Sequence, residues 1–348
     1  MERIDNPYRG QPEAFPGLTD IPYPSVAAAE PLGLISRCPV AAETPLVNSA
    51  ALAERCGVAR VSIKDERNRM GLGSFKALGA AYVIAHDATR EDVSGVTYVT
   101  ASAGNHGMSV AAGAAAFGAK SVVYIAETVP DSFAERLRAQ GAEVRREGAV
   151  YEDGMAAAAQ AAETENMRLL SDSSWPGYTE RPHRLMEGYL VLMAEAVEQM
   201  PTPPSHIFVQ AGVGGLAGAV AAMARAAWGD NPRIIVVEPE VAECLKGSIM
   251  AGEAREMPGP VSAMGRLDCK EPSLIALKGL ARDANDFMTI SEAEGQAGDE
   301  LARALGLNST PSGAGGLSGL LAASQSPGEF GLTADSYVML ILSEGEAA

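Results

Sequence analysis

Ile207-Phe208-Val209-Gln210-Ala211-Gly212-Val213-Gly214-Gly215-Leu216-Ala217 is the stretch that decides the architecture. A short apolar strand runs into clustered glycines and then into the alanine-rich start of a helix. That order makes half of a strand–helix–strand unit, in which glycines let an anion approach the backbone N–H groups at a helix N-terminus. Working outward, strands are predicted at residues 97–100, 121–126, 142–145 and 167–170 upstream, and at 233–237, 287–290 and 337–342 downstream. Helical patterns separate most of them, beginning near His106, over 132–140 and from Tyr151. Continuous apolar strands alternating with helices imply an α/β fold, a doubly wound parallel sheet covered on both faces.

The region up to about Val47 is proline-rich and aperiodic and reads as an irregular arm, packed on the body or on a partner subunit. Residues 200–205 (MPTPPS) form a proline-rich connector and a plausible boundary. No repeat or low-complexity tail is seen.

The 348 residues carry a net charge of −17, which disfavours nucleic-acid and anionic-membrane partners. With 47% hydrophobic residues the chain can bury a large core. No apolar run is long enough to span a bilayer, and residues 1–10 hold no signal core, so a cytoplasmic protein is expected. Cys38, Cys56, Cys244 and Cys269 lack metal-ligand spacing and read as free thiols.

Two further motifs carry chemistry. In Gly73-Ser74-Phe75-Lys76-Ala77-Leu78-Gly79-Ala80 a lysine opens a helix beside an aromatic ring. Burial there is expected to lower its pKa and free the amine to attack an aldehyde. Ser102-Ala103-Gly104-Asn105-His106-Gly107, between strand and helix, offers backbone and side-chain donors to a carboxylate or phosphate. His86, His183 and His206 belong to no constellation. The 212–217 glycine loop stays ambiguous. Gly212, Gly214 and Ala217 also satisfy the dinucleotide fingerprint, with Glu238 ending the next strand where a ribose-binding acid would sit. A nicotinamide-dependent dehydrogenase is therefore a rival reading.

Taken together, and in this order from about Thr44 to Ser343, the three motifs resemble those of the fold-type II pyridoxal-phosphate enzymes, which include threonine and serine dehydratases, serine racemase and diaminopropionate ammonia-lyase. The resemblance implies pyridoxal 5'-phosphate as cofactor. It implies Lys76 as Schiff-base lysine and α-proton base, with Phe75 beside it, and Asn105 on the cofactor's 3-hydroxyl. Gly212, Val213, Gly214, Gly215 and Leu216 would cradle the phosphate. Ser343 would meet the pyridine nitrogen and leave it unprotonated, which suits β-elimination over transamination. Ser102, Ala103, Gly104, Asn105 and His106 would seat the substrate carboxylate. The implied fold is a large cofactor-binding domain, residues 1–88 with 178–348, and a smaller inserted α/β domain, residues 89–177. A homodimer is the family habit, and no regulatory domain is expected after Ser343.

Lys64-Asp65-Glu66, Asp172-Ser173-Ser174-Trp175-Pro176-Gly177-Tyr178 and Met186-Glu187-Gly188-Tyr189 are similar to diaminopropionate ammonia-lyases in particular. Members of that group that accept both enantiomers carry an aspartate, the base for the D-substrate, where this chain has Ala103. An L-substrate worked by Lys76 is therefore expected, with Asp172 binding or protonating the leaving group. Glu238-Pro239-Glu240-Val241-Ala242-Glu243-Cys244 stands where related dehydratases bind a divalent cation. Cys244 replaces a hard oxygen ligand there, and no metal is expected. The expected activity is a carbon–nitrogen lyase releasing a 2-oxo acid and ammonia from a small amino acid. The alternatives are a threonine, serine or 3-hydroxyaspartate dehydratase, the dehydrogenase above, and a non-catalytic pyridoxal-phosphate protein.

Overall fold

The computed structural model describes residues 1–11 and 15–346. Its strands are β1 (Glu2–Asp5), β2 (Leu46–Asn48), β3 (Arg60–Asp65), β4 (Thr97–Ala101), β5 (Lys120–Ile125), β6 (Glu143–Arg146), β7 (Arg168–Leu169), β8 (His206–Gln210), β9 (Arg233–Pro239), β10 (Asp286–Ile290) and β11 (Tyr337–Leu342). They form two sheets. The larger has the order β1-β10-β9-β8-β11-β3-β2 and the smaller β6-β5-β4-β7. The inner pairs are parallel, and the two edge pairs of the large sheet, β1 with β10 and β2 with β3, are antiparallel.

The central strands β8, β9, β10 and β11 are largely apolar because both faces are covered. Ile207, Val209, Ile234 and Val236 join a core on one face of the large sheet. Phe208, Ile235 and Val237 join the core on the other, as the two-residue side-chain period requires. The small sheet repeats the arrangement on a lesser scale, with Val122 and Tyr124 facing one cluster and Val123 and Ile125 the other.

Two sequence-based expectations are corrected here. The N-terminal arm is not irregular throughout. Glu2–Asp5 is a strand, Ala29–Ile35 is a helix and Leu46–Asn48 is a strand. A four-residue strand is too short to show periodicity, and its pairing comes from a distant partner. Arg3 Nε donates to Asp286 Oδ1 at 2.8 Å, and Asn6 Nδ2 reaches the carbonyls of Leu280, Ala281 and Ala284. Pro12, Glu13 and Ala14 of this arm lie outside the described residues. The connector at 200–205 is not a boundary either. Met193 before it and Ile207 after it pack in one core cluster.

Two features set the approach to Lys76. At the end of β3, Lys64, Glu66, Arg69 and Glu195 form a buried charge network. Lys64 Nζ lies 2.6 Å from Glu195, and Arg69 lies 2.7 Å from Glu66 and 2.6 Å from Glu195. Four ions taken out of water hold together only because each has opposite charges in contact. The helix Lys76–Ala88 then crosses the helix Glu180–Gln199 at glycines. A Cβ on Gly188 would sit 2.5 Å from the Leu78 carbonyl, and one on Gly79 would meet Leu185 and Tyr189 at 2.8 Å. Gly188→Ala should therefore lower stability by about 1–3 kcal/mol through overpacking. Gly33→Ala, in a helix with open space around it, should be neutral or stabilising. Urea midpoints of the two variants at unchanged m-value would check this; equal midpoints would contradict the close crossing.

Candidate active site

Lys76 is the first residue of its helix, directly after a loop that pairs with the end of β11. The parallel register of β3 and β11 brings the two loops together. Phe75 N donates to Ser343 O at 3.1 Å, and Gly345 N donates to Gly73 O at 3.0 Å. Residues far apart in sequence are thus held by main-chain bonds. Phe75 meets Tyr189 edge-on, with ring centroids 4.9 Å apart. Lys76 Nζ lies 5.3 Å from the Phe75 centroid and 5.9 Å from that of Tyr189.

Asp172 comes from the other sheet. It lies beyond β7 in a loop with several ties. Tyr178 Oη accepts from Ser171 N at 3.1 Å and donates to Leu169 O at 2.9 Å. Trp175 and Tyr178 bond to each other across a turn, their rings stacked 4.4 Å apart, and Gly177 takes the positive φ of +85° that the turn needs. Ser174 Oγ contacts Ser273 Oγ at 2.7 Å and accepts from Ile275 N at 2.9 Å. The Trp-Pro-Gly-Tyr segment is thus a clasp that presents Asp172 to Lys76.

Lys76 Nζ donates to Asp172 Oδ2 in a part-buried ion pair. Here the sequence-based expectation of a lowered lysine pKa fails. Burial does pull it down, but the Asp172 charge, the Tyr189 phenol and the Asp172 hydrogen bond together outweigh burial and raise it above the ordinary value. Burial pushes Asp172 up, yet the charges of Lys76 and His106 and the Lys76 hydrogen bond hold it well below the usual carboxylate range.

The Ser102–Gly107 loop lies between β4 and the helix Asn105–Ala116. Ser102 Oγ accepts from Gly104 N at 3.2 Å, which curls the loop. A Cβ on Gly107 would stand 2.1 Å from the Ser102 carbonyl, so only glycine permits so tight a turn into the helix. His106 Nε2 donates to Leu170 O at 2.8 Å, and burial lowers its pKa. Its ring therefore packs toward β7, while its backbone stays at the helix N-terminus. Ala103 packs its methyl beside the apolar cluster of Val123, Ile125 and Leu137. With Ser102 it also lines a cavity of about 280 Å³ bounded by Tyr124, Val150 and Tyr151. Asn105 Nδ2 donates to Glu344 Oε2.

The glycine loop joins β8 to the helix Gly215–Trp228. Gly214 has φ +99°, and a Cβ on Gly212 would lie 2.9 Å from Cys269 Sγ. Val213 O accepts from Ser273 N, and Leu216 is buried. Glu238 is buried too. Its two oxygens accept from Leu245 N and Lys246 N at 2.8 Å each, closing the N-terminus of the helix Cys244–Ala251. That carboxylate does not face a ribose, which removes the support for a dinucleotide reading. Glu243 pairs with Lys246 Nζ at 2.7 Å.

Lys76, Asp172, Phe75, Ser343, Asn105 and the loops at 102–107 and 212–216 thus gather at the carboxyl ends of strands from both sheets. Sequence reading missed Glu344, Arg266, Tyr189 and Gln210 as neighbours of this site. Glu344, buried one residue beyond Ser343, receives Asn105 and Thr310 and lies 2.8 Å from Arg266 Nε. An acid just past the end of a central parallel strand was its available signal. Gln210 stood directly before the glycine loop, which was its signal; Arg266 carried none, because its place depends on pairings distant in sequence.

The family model described as pyridoxal-phosphate dependent enzyme matches residues 39–343. A diaminopropionate ammonia-lyase of Salmonella typhimurium is 35% identical over 71% of this chain and 68% of its own length. Its Escherichia coli counterpart is 31% identical over 87% and 84%. A crystal structure of the Escherichia coli enzyme in complex with an aminoacrylate-PLP azomethine reaction intermediate superposes with TM-score 0.88 at 29% identity, covering 99% of this chain and 94% of that one.

The ion pair makes a prediction of its own. Asp172→Asn removes the largest influence that opposes burial, so the Lys76 amine should titrate lower than in the wild-type protein. Its labelling by an amine-directed reagent, followed by peptide mass against pH, should move to lower pH; an unmoved profile would show that Asp172 does not set the charge.

Proposed function

Because the chain belongs to the pyridoxal-phosphate-dependent enzymes, we propose that it is an ammonia-lyase that eliminates the β-amino group of L-2,3-diaminopropionate or a close analogue, giving a 2-oxo acid and ammonia. The residues present fit the cofactor. The 212–216 loop sets clustered glycines at the N-terminus of the helix Gly215–Trp228, whose free N–H groups suit a phosphate. Lys76 and Ser343 are held together by the Phe75–Ser343 bond, which suits the two ends of one aromatic ring. When bound, pyridoxal phosphate withdraws electrons from the substrate's α-carbon, making its hydrogen acidic and the β-substituent able to leave.

The chain's own residues do the rest. Lys76 would hold the cofactor's aldehyde through Nζ, and its free amine would take the α-proton on that atom. Ser102 and the N–H groups of residues 103–106 hold the α-carboxylate and so fix which hydrogen faces Lys76. Asn105, steadied by Glu344, directs its amide at the cofactor's 3-hydroxyl. Asp172, ionised, binds the β-ammonium group, which already carries the protons it needs to depart as ammonia. The observation that carries this reading is the Lys76–Asp172 ion pair. A carboxylate placed to hold a lysine ammonium will equally hold the ammonium of a β-amine, and a β-hydroxyl gives it less. Ala103, packed against apolar side chains, brings no acid to the opposite face. A dehydratase of serine, threonine or 3-hydroxyaspartate is the second reading, favoured by that dehydratase-like loop.

The same reading includes a homodimer, a cytoplasmic setting in keeping with four free thiols, and a division into a large domain (1–88 with 178–348) and a small one (89–177) that follows the two sheets. No helix among the described residues is long and apolar enough to cross a membrane.

Purified protein should carry a visible absorbance band that borohydride removes, and Lys76→Ala should be colourless, with turnover down by a factor of about 10²–10⁴ or more. A colourless Lys76→Ala protein with undiminished turnover would sink the mechanism. In a keto-acid assay, L-diaminopropionate should exceed L-serine, L-threonine and the hydroxyaspartates. The D-enantiomer should be slower by about a hundredfold for want of a base. Faster turnover of a hydroxyamino acid would establish the dehydratase instead.

A further inference from the structure

Gln210 ends β8 immediately before the glycine loop and is 1% exposed. Its Nε2 lies 2.8 Å from Gly313 O, 3.1 Å from Ile341 O and 3.0 Å from Ser343 Oγ. Two of these partners are carbonyls, which only accept, so chemistry dictates that the nitrogen of the amide faces this side. The other end of the amide, Oε1, is buried without a hydrogen-bond partner. The surrounding space is shaped for the side chain. A Cβ on Gly315 would come within 2.8 Å of Gln210 Cβ, and one on Gly316 within 3.0 Å of Oε1. A buried oxygen left unpaired is costly. An apolar residue of similar length would avoid that cost, unless the donor end of the amide has a task.

The task follows from what an amide nitrogen can do. It donates and cannot accept. Ser343 Oγ therefore accepts a share of the amide's two hydrogens along with the two carbonyls, and its own proton cannot point at Gln210. No hydrogen bond donated by the Ser343 hydroxyl is found among the described residues. Ser343 N is separately tied to Gly313 O at 3.2 Å, which fixes the backbone from which the hydroxyl hangs. We propose that Gln210 is a positioning residue that turns the Ser343 hydroxyl proton toward the ring nitrogen of the cofactor, fixing serine as donor and the nitrogen as acceptor. The inference rests on the reading that Ser343 meets that nitrogen. It adds the device that decides the direction of the hydrogen bond. A serine alone can donate or accept; one that already receives Gln210 keeps its single proton aimed away from the amide, which favours donation to the ring nitrogen. The ring nitrogen is then held unprotonated by the protein's own hydrogen-bond order.

Apoenzyme titrated with pyridoxal phosphate tests this through a double-mutant cycle of Gln210→Met, Ser343→Ala and both together. Each single variant should weaken cofactor binding by about five- to tenfold, the worth of one net hydrogen bond. The double variant should lose no more than the larger single loss, and Gln210→Met should displace the visible band in the same direction as Ser343→Ala. Losses that multiply in the double variant would overturn the proposal, since Gln210 would then act on packing alone. A second measurement needs no variant. With ¹⁵N-labelled cofactor on the wild-type protein, the ring nitrogen should resonate as an unprotonated, hydrogen-bonded pyridine. A pyridinium signal would overturn the proposal even if Gln210→Met failed to fold. Wild-type protein that takes up no cofactor would instead defeat the functional reading itself, and the inference with it. Cofactor uptake with a multiplicative cycle defeats only the inference.

Discussion

The contact between Lys76 and Asp172 is where the two sheets of this protein meet chemically. The lysine hangs from the helix after β3 of the large sheet. The aspartate hangs from the loop after β7 of the small one. Neither charge would be stable half-buried alone, since each depends on the other to offset the loss of water. The pair therefore sets the charge of both groups and places an ammonium-binding carboxylate beside the amine that is to take a proton.

Most of the remaining structure serves to make the contact reproducible. The buried network of Lys64, Glu66, Arg69 and Glu195 fixes the chain between β3 and Lys76. The glycine crossing at Gly79 and Gly188 brings Tyr189 against Phe75 and the lysine stem. On the other side, the stacked Trp175 and Tyr178 and the Ser174–Ser273 bond hold the aspartate loop to both sheets. These are rigid supports built of packed rings, short main-chain approaches and satisfied polar groups. Each places a reactive side chain on an element that cannot easily rotate away.

Much of this was legible in the linear chain. Strands buried on both faces announce themselves as unbroken apolar runs, and β8, β9, β10 and β11 were found to within two residues. Glycine loops before helices were equally plain, because φ +99° at Gly214 and the close approach at Gly107 leave no other residue type workable. The short edge strands β1 and β2 escaped notice because pairing, not composition, makes them strands. The direction of the Lys76 pKa was read wrongly because burial is visible in a motif while the neighbouring charge, 96 residues away along the chain, is not.

The sequence by itself determined the fold class, the two glycine-bearing loops before helices, the lysine that opens its helix and the absence of an acid at Ala103. All of these are properties of residue type and local order, which period and glycine placement encode directly. Tertiary structure alone decided that Asp172 faces Lys76, that Glu238 closes a helix instead of meeting a ribose, that Glu344 steadies Asn105, and that Gln210 points its nitrogen at Ser343. Each of these is a choice among several hydrogen-bond partners available to one side chain. Such a choice is made only when strands distant in sequence come into register and leave one partner within reach.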